Sequence, residues 1–205
     1  MNFHFTRASR FDVSRNPARG QALIEFALTM PILILIAFGT LSASQLLERH
    51  LTVLQLVRNA GNMYSRSVDF SLVQNRELLL TSSAGLSMTL NGGDGVVYLS
   101  TVEVAAAGSN SGFPVVTNRV SIGEVSLMPS RVATPAALLS NGDVDDYEND
   151  PLARATVASG LTLEDGDIAY VVEAYHTPTD MPVVDLFFGQ QRLGAAAYYS
   201  REERR

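Results

Sequence analysis

From Phe26 to Leu47 the chain runs for 22 residues without one charged side chain, between Glu25 and Glu48. Coiled as a helix at ~1.5 Å per residue, that run reaches about 33 Å, enough to cross a hydrocarbon core roughly 30 Å thick. The flanks orient it. Every basic residue is Arg, and Arg7, Arg10, Arg15 and Arg19 precede the run against a single acid, Asp12. The positive flank stays on the cytoplasmic side, which puts the bulk of the chain outside. From Gln21 onward eleven Arg face twenty acids, a balance of −9 that is unsuited to phosphate backbones, so nucleic acid is not an expected partner.

Two ordinary readings compete. Small residues at Ser42, Ala43 and Ser44 permit a cleaved secretory signal, and the same run permits a plain uncleaved anchor. Secretory signals have apolar regions of about 7 to 15 residues and need no acid at their head. Glu25 sits at that head, where a carboxylate costs up to ~2.5–3.5 kcal/mol if carried to the bilayer centre. It therefore needs a counter-charge or an interfacial position near a helix N-terminus.

The junction from Arg19 to Phe26 resembles that of type IV prepilins. Gly20 matches the residue before the cut made by prepilin peptidase, Gln21 matches the new N-terminus, and Glu25 matches the acid at the fifth mature position. Glycine admits an extended backbone into a tight site at no steric cost. The stretch Gly20 to Pro31, the Ile/Leu run and Gly39 further resemble the TadE-like proteins, pseudopilins of the tight-adherence (Flp) pilus system, as does the stretch Leu54 to Arg66. Thr40 to Gln45 departs from that family's usual aromatic or acidic pattern. The resemblance implies prepilin peptidase and other pilin or pseudopilin subunits as partners. It also implies assembly contacts through Glu25, Phe26 and Pro31, and residence in the inner membrane with possible incorporation into a pilus. A domain this large implies a minor or accessory subunit. The alternative is a membrane- or pilus-anchored binding (adhesin) module displaying Tyr170, Tyr175, Tyr198 and Tyr199.

The domains expected are a leader over 1–20, an N-terminal helix over 21–66 with its membrane segment at 26–47, and an extracytoplasmic domain over 67–205. Leu46, Val53, Val57, Ala60 and Tyr64 form an apolar stripe, beside Leu56 and Met63, that continues the helix onto the protein's own sheet. A turn at Ser67 to Phe70 leads to a second helix, with Ser71 and Gln74 spaced as a capping box and Gly85 as its stop. Strands are expected at Val96–Val104, Val115–Leu127, Asp167–His176 and Ala195–Ser200. Strands in succession, without strict helix alternation, predict an α+β fold with a mostly antiparallel sheet.

Chemistry is sparse. His4, His50 and His176 lack metal spacing and read as surface residues, and no nucleophile elbow or phosphate loop occurs. No enzyme activity, cofactor or small-molecule substrate is expected. Asp143, Asp145, Asp146, Glu148 and Asp150 offer oxygen ligands for calcium, but a start at Asn141 puts Asp146 where an EF-hand needs glycine and Leu152 where it needs Glu. A solvated loop is the expected state.

Overall fold

A computed structural model describes residues 17–158, 161–179, 189 and 192–201. The leader residues His4, Arg7, Arg10, Asp12 and Arg15 lie outside the described residues. The chain forms two compact units, Met1–Leu41 and Ser42–Arg205. Helix α1, Pro17–Ser65, supplies both, so the boundary falls inside one helix and not at its end.

In the first unit α1 carries Leu23, Ile24, Phe26, Leu28 and the Ile32–Ile36 run with their side chains exposed. Its most apolar stretch has a mean hydropathy of 2.2 and is long enough to cross a membrane. Pro31 lies within the helix without ending it, although its missing N–H deprives the Ala27 carbonyl of a donor. The hydroxyl of Thr29 donates to the Glu25 carbonyl at 3.0 Å and that of Thr40 to the Ala37 carbonyl at 2.9 Å. Both threonine hydroxyls inside the apolar run are thus satisfied locally, which hydrocarbon demands.

The second unit is an α+β domain. Four antiparallel strands, β3 (Gly95–Val104), β4 (Pro114–Gly123), β5 (Ile168–His176) and β6 (Leu193–Arg201), pair in the order β4-β3-β5-β6. A small hairpin, β1 (Met88–Thr89) with β2 (Gly92–Gly93), precedes them. The two central strands are buried on both faces, which is why Val96–Val104 and Ile168–Tyr175 read as nearly unbroken apolar runs. On one face the stripe Val53, Leu56, Val57, Ala60 and Tyr64 of α1 packs with Phe70 and Leu79 against Val97, Leu99, Ile122, Val172 and Ala174. The other face is covered by the long β4–β5 connection, whose Val132, Ala133, Val144 and Ala153 pack on Val102, Val116, Ala169 and Val171.

Four local expectations are corrected. Helix α2 is Val73–Thr81, and its N-cap residue is Leu72, with no side-chain cap, so the Ser71–Gln74 capping box does not form. Asp69 accepts from the Ser71 N–H instead, while Arg76 donates to the carbonyls of Phe70 and Ser71, and these bonds fix the turn ahead of the helix. The helix stops at Ser82, before Gly85. Strand β4 ends four residues before Leu127, because Gly123 turns the chain with φ +104 against the Gly95 carbonyl. His176 is 1% exposed and not a surface residue, since the end of central strand β5 is flanked by Gly95 on one side and Leu193 on the other.

Helix α1 meets β6 where Gly61 faces Tyr199. A Cβ on Gly61 would fall 2.0 Å from Tyr199 Cε2 and 2.6 Å from Cζ, so the ring occupies the space that any side chain needs. Gly61→Ala is expected to lower the unfolding midpoint by several degrees, because overpacking of this kind costs about 1–3 kcal/mol. In a Tyr199→Ala background the same substitution is expected to stabilise by up to about 1 kcal/mol, through helix propensity alone. Thermal melts of the four proteins form the cycle that reads this, and additive effects would refute the contact.

Candidate functional site

The residues singled out at the start of α1 lie along one exposed stretch of helix. Gln21 and Glu25 are one turn apart, and the Gln21 side-chain amide donates to Glu25 Oε1 at 3.0 Å. Phe26 is 57% exposed and Pro31 is exposed as well, so Glu25, Phe26 and Pro31 are free for lateral contact. Gly20 is helical, and a Cβ built on it would meet nothing within 4 Å. The Gly20–Gln21 bond is thus accessible but not extended. A protease that needs an extended strand must first unwind the turn around Gly20 and Gln21.

The acidic loop does not gather its carboxylates. Asp143 Oδ1 accepts from Asn118 Nδ2 at 2.8 Å, Asp146 Oδ1 from Asn149 Nδ2 at 2.8 Å, and Asp150 from the N–H groups of Leu152 and Ala136 at 2.8 and 2.7 Å. These are turn and capping bonds. Among the described residues no three His, Cys, Asp or Glu side chains converge on a metal position. Asp145 remains exposed, and Glu148 is half-buried.

The tyrosines offered for adhesion are packed into the domain. Tyr170 meets Tyr64 edge to face at 5.1 Å, and Tyr199 lies on Gly61. Tyr175 is buried, and Tyr198 packs beside Val102 and Val171 on the opposite face. They form no displayed aromatic platform.

What the sequence reading missed is a buried polar cluster under the β4–β5 connection. Glu173 of β5 is 2% exposed, yet both carboxylate oxygens are satisfied: Ser130 Oγ donates to Oε2, while the Arg131 N–H (3.0 Å) and the Tyr175 hydroxyl (2.6 Å) donate to Oε1. Nearby, Arg119 Nε donates to Ser100 Oγ at 2.9 Å and Nη1 to the Ala133 carbonyl at 2.7 Å, with its guanidinium 5.6 Å from the Tyr98 ring. Burial pulls the Arg119 pKa below its usual value, against the opposing pull of Glu173. The Tyr175 hydroxyl is pushed well above the usual phenol range, first by burial and then by its bond to Glu173. One signal of this cluster was present in the sequence: a charged residue at an alternation position inside each of two apolar strands.

Beside this cluster opens a cavity of about 380 Å³, lined by Met128, Arg131, Glu173, Tyr175, Arg192 and Tyr198, with Gly194 to Ala196 of β6 as its floor. The Arg131 guanidinium stacks 5.7 Å from the Tyr175 ring.

A helix able to span a membrane, joined to an α+β domain with an antiparallel sheet, defines the class of this protein. Over residues 20–61, about a fifth of the chain, the sequence matches the family described as TadE-like protein. That interval starts at Gly20 and ends at Gly61, within the stretch on which the resemblance rests. No curated protein and no solved structure matches the chain.

Proposed function

We propose that this protein is a minor or accessory pseudopilin-like subunit acting in assembly of a type IV pilus of the Flp/Tad kind, cut after Gly20 by prepilin peptidase. The observation that carries the reading is the TadE-like match over residues 20–61, which coincides with a helix whose apolar side chains are exposed and whose only early acid is Glu25. Before assembly the protein is held in the inner membrane with its domain outside the cytoplasm. It acts by packing α1 against other pilin or pseudopilin helices and performs no reaction. The adhesin alternative is the weaker reading, since Tyr170 and Tyr199 pack on α1 while Tyr175 and Tyr198 line a cavity and present no open aromatic face.

N-terminal mass spectrometry of the membrane-extracted protein tests the proposal, with a chain starting at Gln21 as the expected result. A chain starting at Met1 would sink it, and one starting near Gln45 would favour an ordinary signal peptide. Glu25→Ala is expected to leave the cut intact but to reduce surface pili roughly tenfold, the factor that about 1.4 kcal/mol of lost pairing represents. After the cut, an amino group on Gln21 of the same or a neighbouring chain can meet this carboxylate in a low-dielectric setting. Normal pilus counts with Glu25→Ala would remove the pairing role while leaving the cut in place.

A further inference from the structure

We propose that the cavity walled by Arg131 and Arg192 receives the acidic loop around Asp145 and Asp146 of a second copy of this chain. The inference goes beyond the pilus reading, because it needs only that copies of the domain meet.

The cavity lies at the β6 edge of the sheet, between the Met128–Arg131 segment and the exposed Gly194 and Ala196. Within it Glu173 is already saturated by three donors, so its carboxylate is committed inward. The guanidinia of Arg131 and Arg192 have no carboxylate partner among the described residues, and both residues are exposed. Two cations without a carboxylate partner among the described residues, on the walls of one cavity, stand out in a chain with eleven Arg and twenty acids beyond the leader. They form a positive spot that favours a carboxylate-bearing occupant, since a guanidinium fork accepts carboxylates in bidentate fashion. The floor of Gly194, Ala195 and Ala196 adds no bulk, so an incoming loop can reach both rims.

The chain itself carries such an occupant. Asp145 and Asp146 are exposed on a loop pinned by the bond from Asn118 to Asp143, beside strand β4. Strand β4 is one edge of the sheet and β6 is the other, three inter-strand steps or about 14 Å apart. Asp145 and Asp146 thus lie beside the β4 edge, whereas Arg192 lies at the β6 edge and Arg131 is held over β5 by its N–H bond to Glu173. A contact joining unlike edges is heterologous and propagates as a row of copies, where a two-fold contact would close on itself. The β4 edge is already occupied by backbone bonds: the Gly142 carbonyl accepts from Arg119, and the N–H groups of Val144 and Ala155 donate to Thr117 and Pro114, so side-chain charge and not strand addition drives the contact.

The full chain contains no cysteine, so a cross-linking test has no background. Two differently tagged copies, one Ser140→Cys and one Ala196→Cys, are placed in the same liposomes and treated with a short bismaleimide. The expected result is a mixed-tag dimer exceeding that from a Ser111→Cys control by about fivefold, a change worth ~1 kcal/mol. Arg131→Glu with Arg192→Glu in the Ala196→Cys copy is expected to abolish the excess. Adding Asp145→Arg with Asp146→Arg to the Ser140→Cys copy is expected to restore it, which only folded proteins could do. A yield equal to the control overturns the proposal, as does a dimer insensitive to charge reversal, which would belong to packing between α1 helices. So does binding of a soluble Asp-rich peptide in the absence of the mixed dimer, which would assign the cavity to an acidic segment of another protein. None of these outcomes depends on where the mature chain begins, so the self-docking and pilus readings fail separately.

Discussion

Gly20→Trp is expected to leave the whole population of the protein uncut, whereas Gly20→Ala slows the cut without abolishing it. The expectation rests on a separation of effects that the structure makes possible. A Cβ at Gly20 meets nothing within 4 Å, so the protein itself accommodates a side chain there. Any failure therefore arises in the peptidase site and not in folding of the substrate. Gly20 lies within α1, and cutting between Gly20 and Gln21 requires that turn to unwind. Glycine lowers that barrier because it costs about 1 kcal/mol in a helix relative to Ala and reaches extended conformations freely. Tryptophan removes both advantages and adds bulk where a proteolytic cleft closes on the backbone. Intact-mass spectrometry of membrane extracts reads the result directly, and a Gly20→Trp protein beginning at Gln21 would show that glycine plays no part in recognition.

The elements legible in the sequence were those whose pattern has one physical cause. The apolar run, the α1 stripe from Val53 to Tyr64 and the four strands all follow from periodic burial, and the structure reproduces them with shifts of one or two residues at most of their ends. Errors arose where a backbone interaction competed with a side-chain signal. The Ser71–Gln74 spacing fits a capping box, but Asp69 takes the Ser71 N–H that the Gln74 side chain would have bonded. The strand expected over Val115–Leu127 stops at Gly123 although apolar residues continue beyond it, because the positive φ there ends the ladder. His176 looked exposed because a strand end normally is, yet its neighbours Gly95 and Leu193 come from strands far away in sequence. The Arg131–Arg192 cavity was illegible for the same reason: its walls are 61 positions apart, and only the sheet order brings them together.

Glu173→Ala is expected to destabilise the domain by about 3–5 kcal/mol, the range for breaking a buried charge arrangement by removing one partner. The carboxylate accepts from Ser130, from the backbone of Arg131 and from Tyr175, and alanine would leave these donors facing a void. Each unsatisfied buried donor costs about 1–3 kcal/mol in its own right. Arg119 would also lose its nearest compensating anion while remaining buried at 6% exposure. Glu173→Gln preserves one acceptor oxygen for Arg131 and Tyr175 and is expected to cost about half as much, chiefly through its NH₂ group facing Ser130. The consequence extends beyond stability, because the bonds from Ser130 and Arg131 fasten the β4–β5 connection to the sheet. Releasing them is expected to open the Val132 and Ala133 contacts and to expose the Arg131 rim of the cavity to faster hydrogen exchange. Urea unfolding of the three proteins measures the energies, and amide exchange at Arg131 and Val132 measures the local opening. A Glu173→Ala domain within about 1 kcal/mol of the parent, with unchanged exchange there, would mean that water replaces the carboxylate and that the connection is held by its apolar contacts alone.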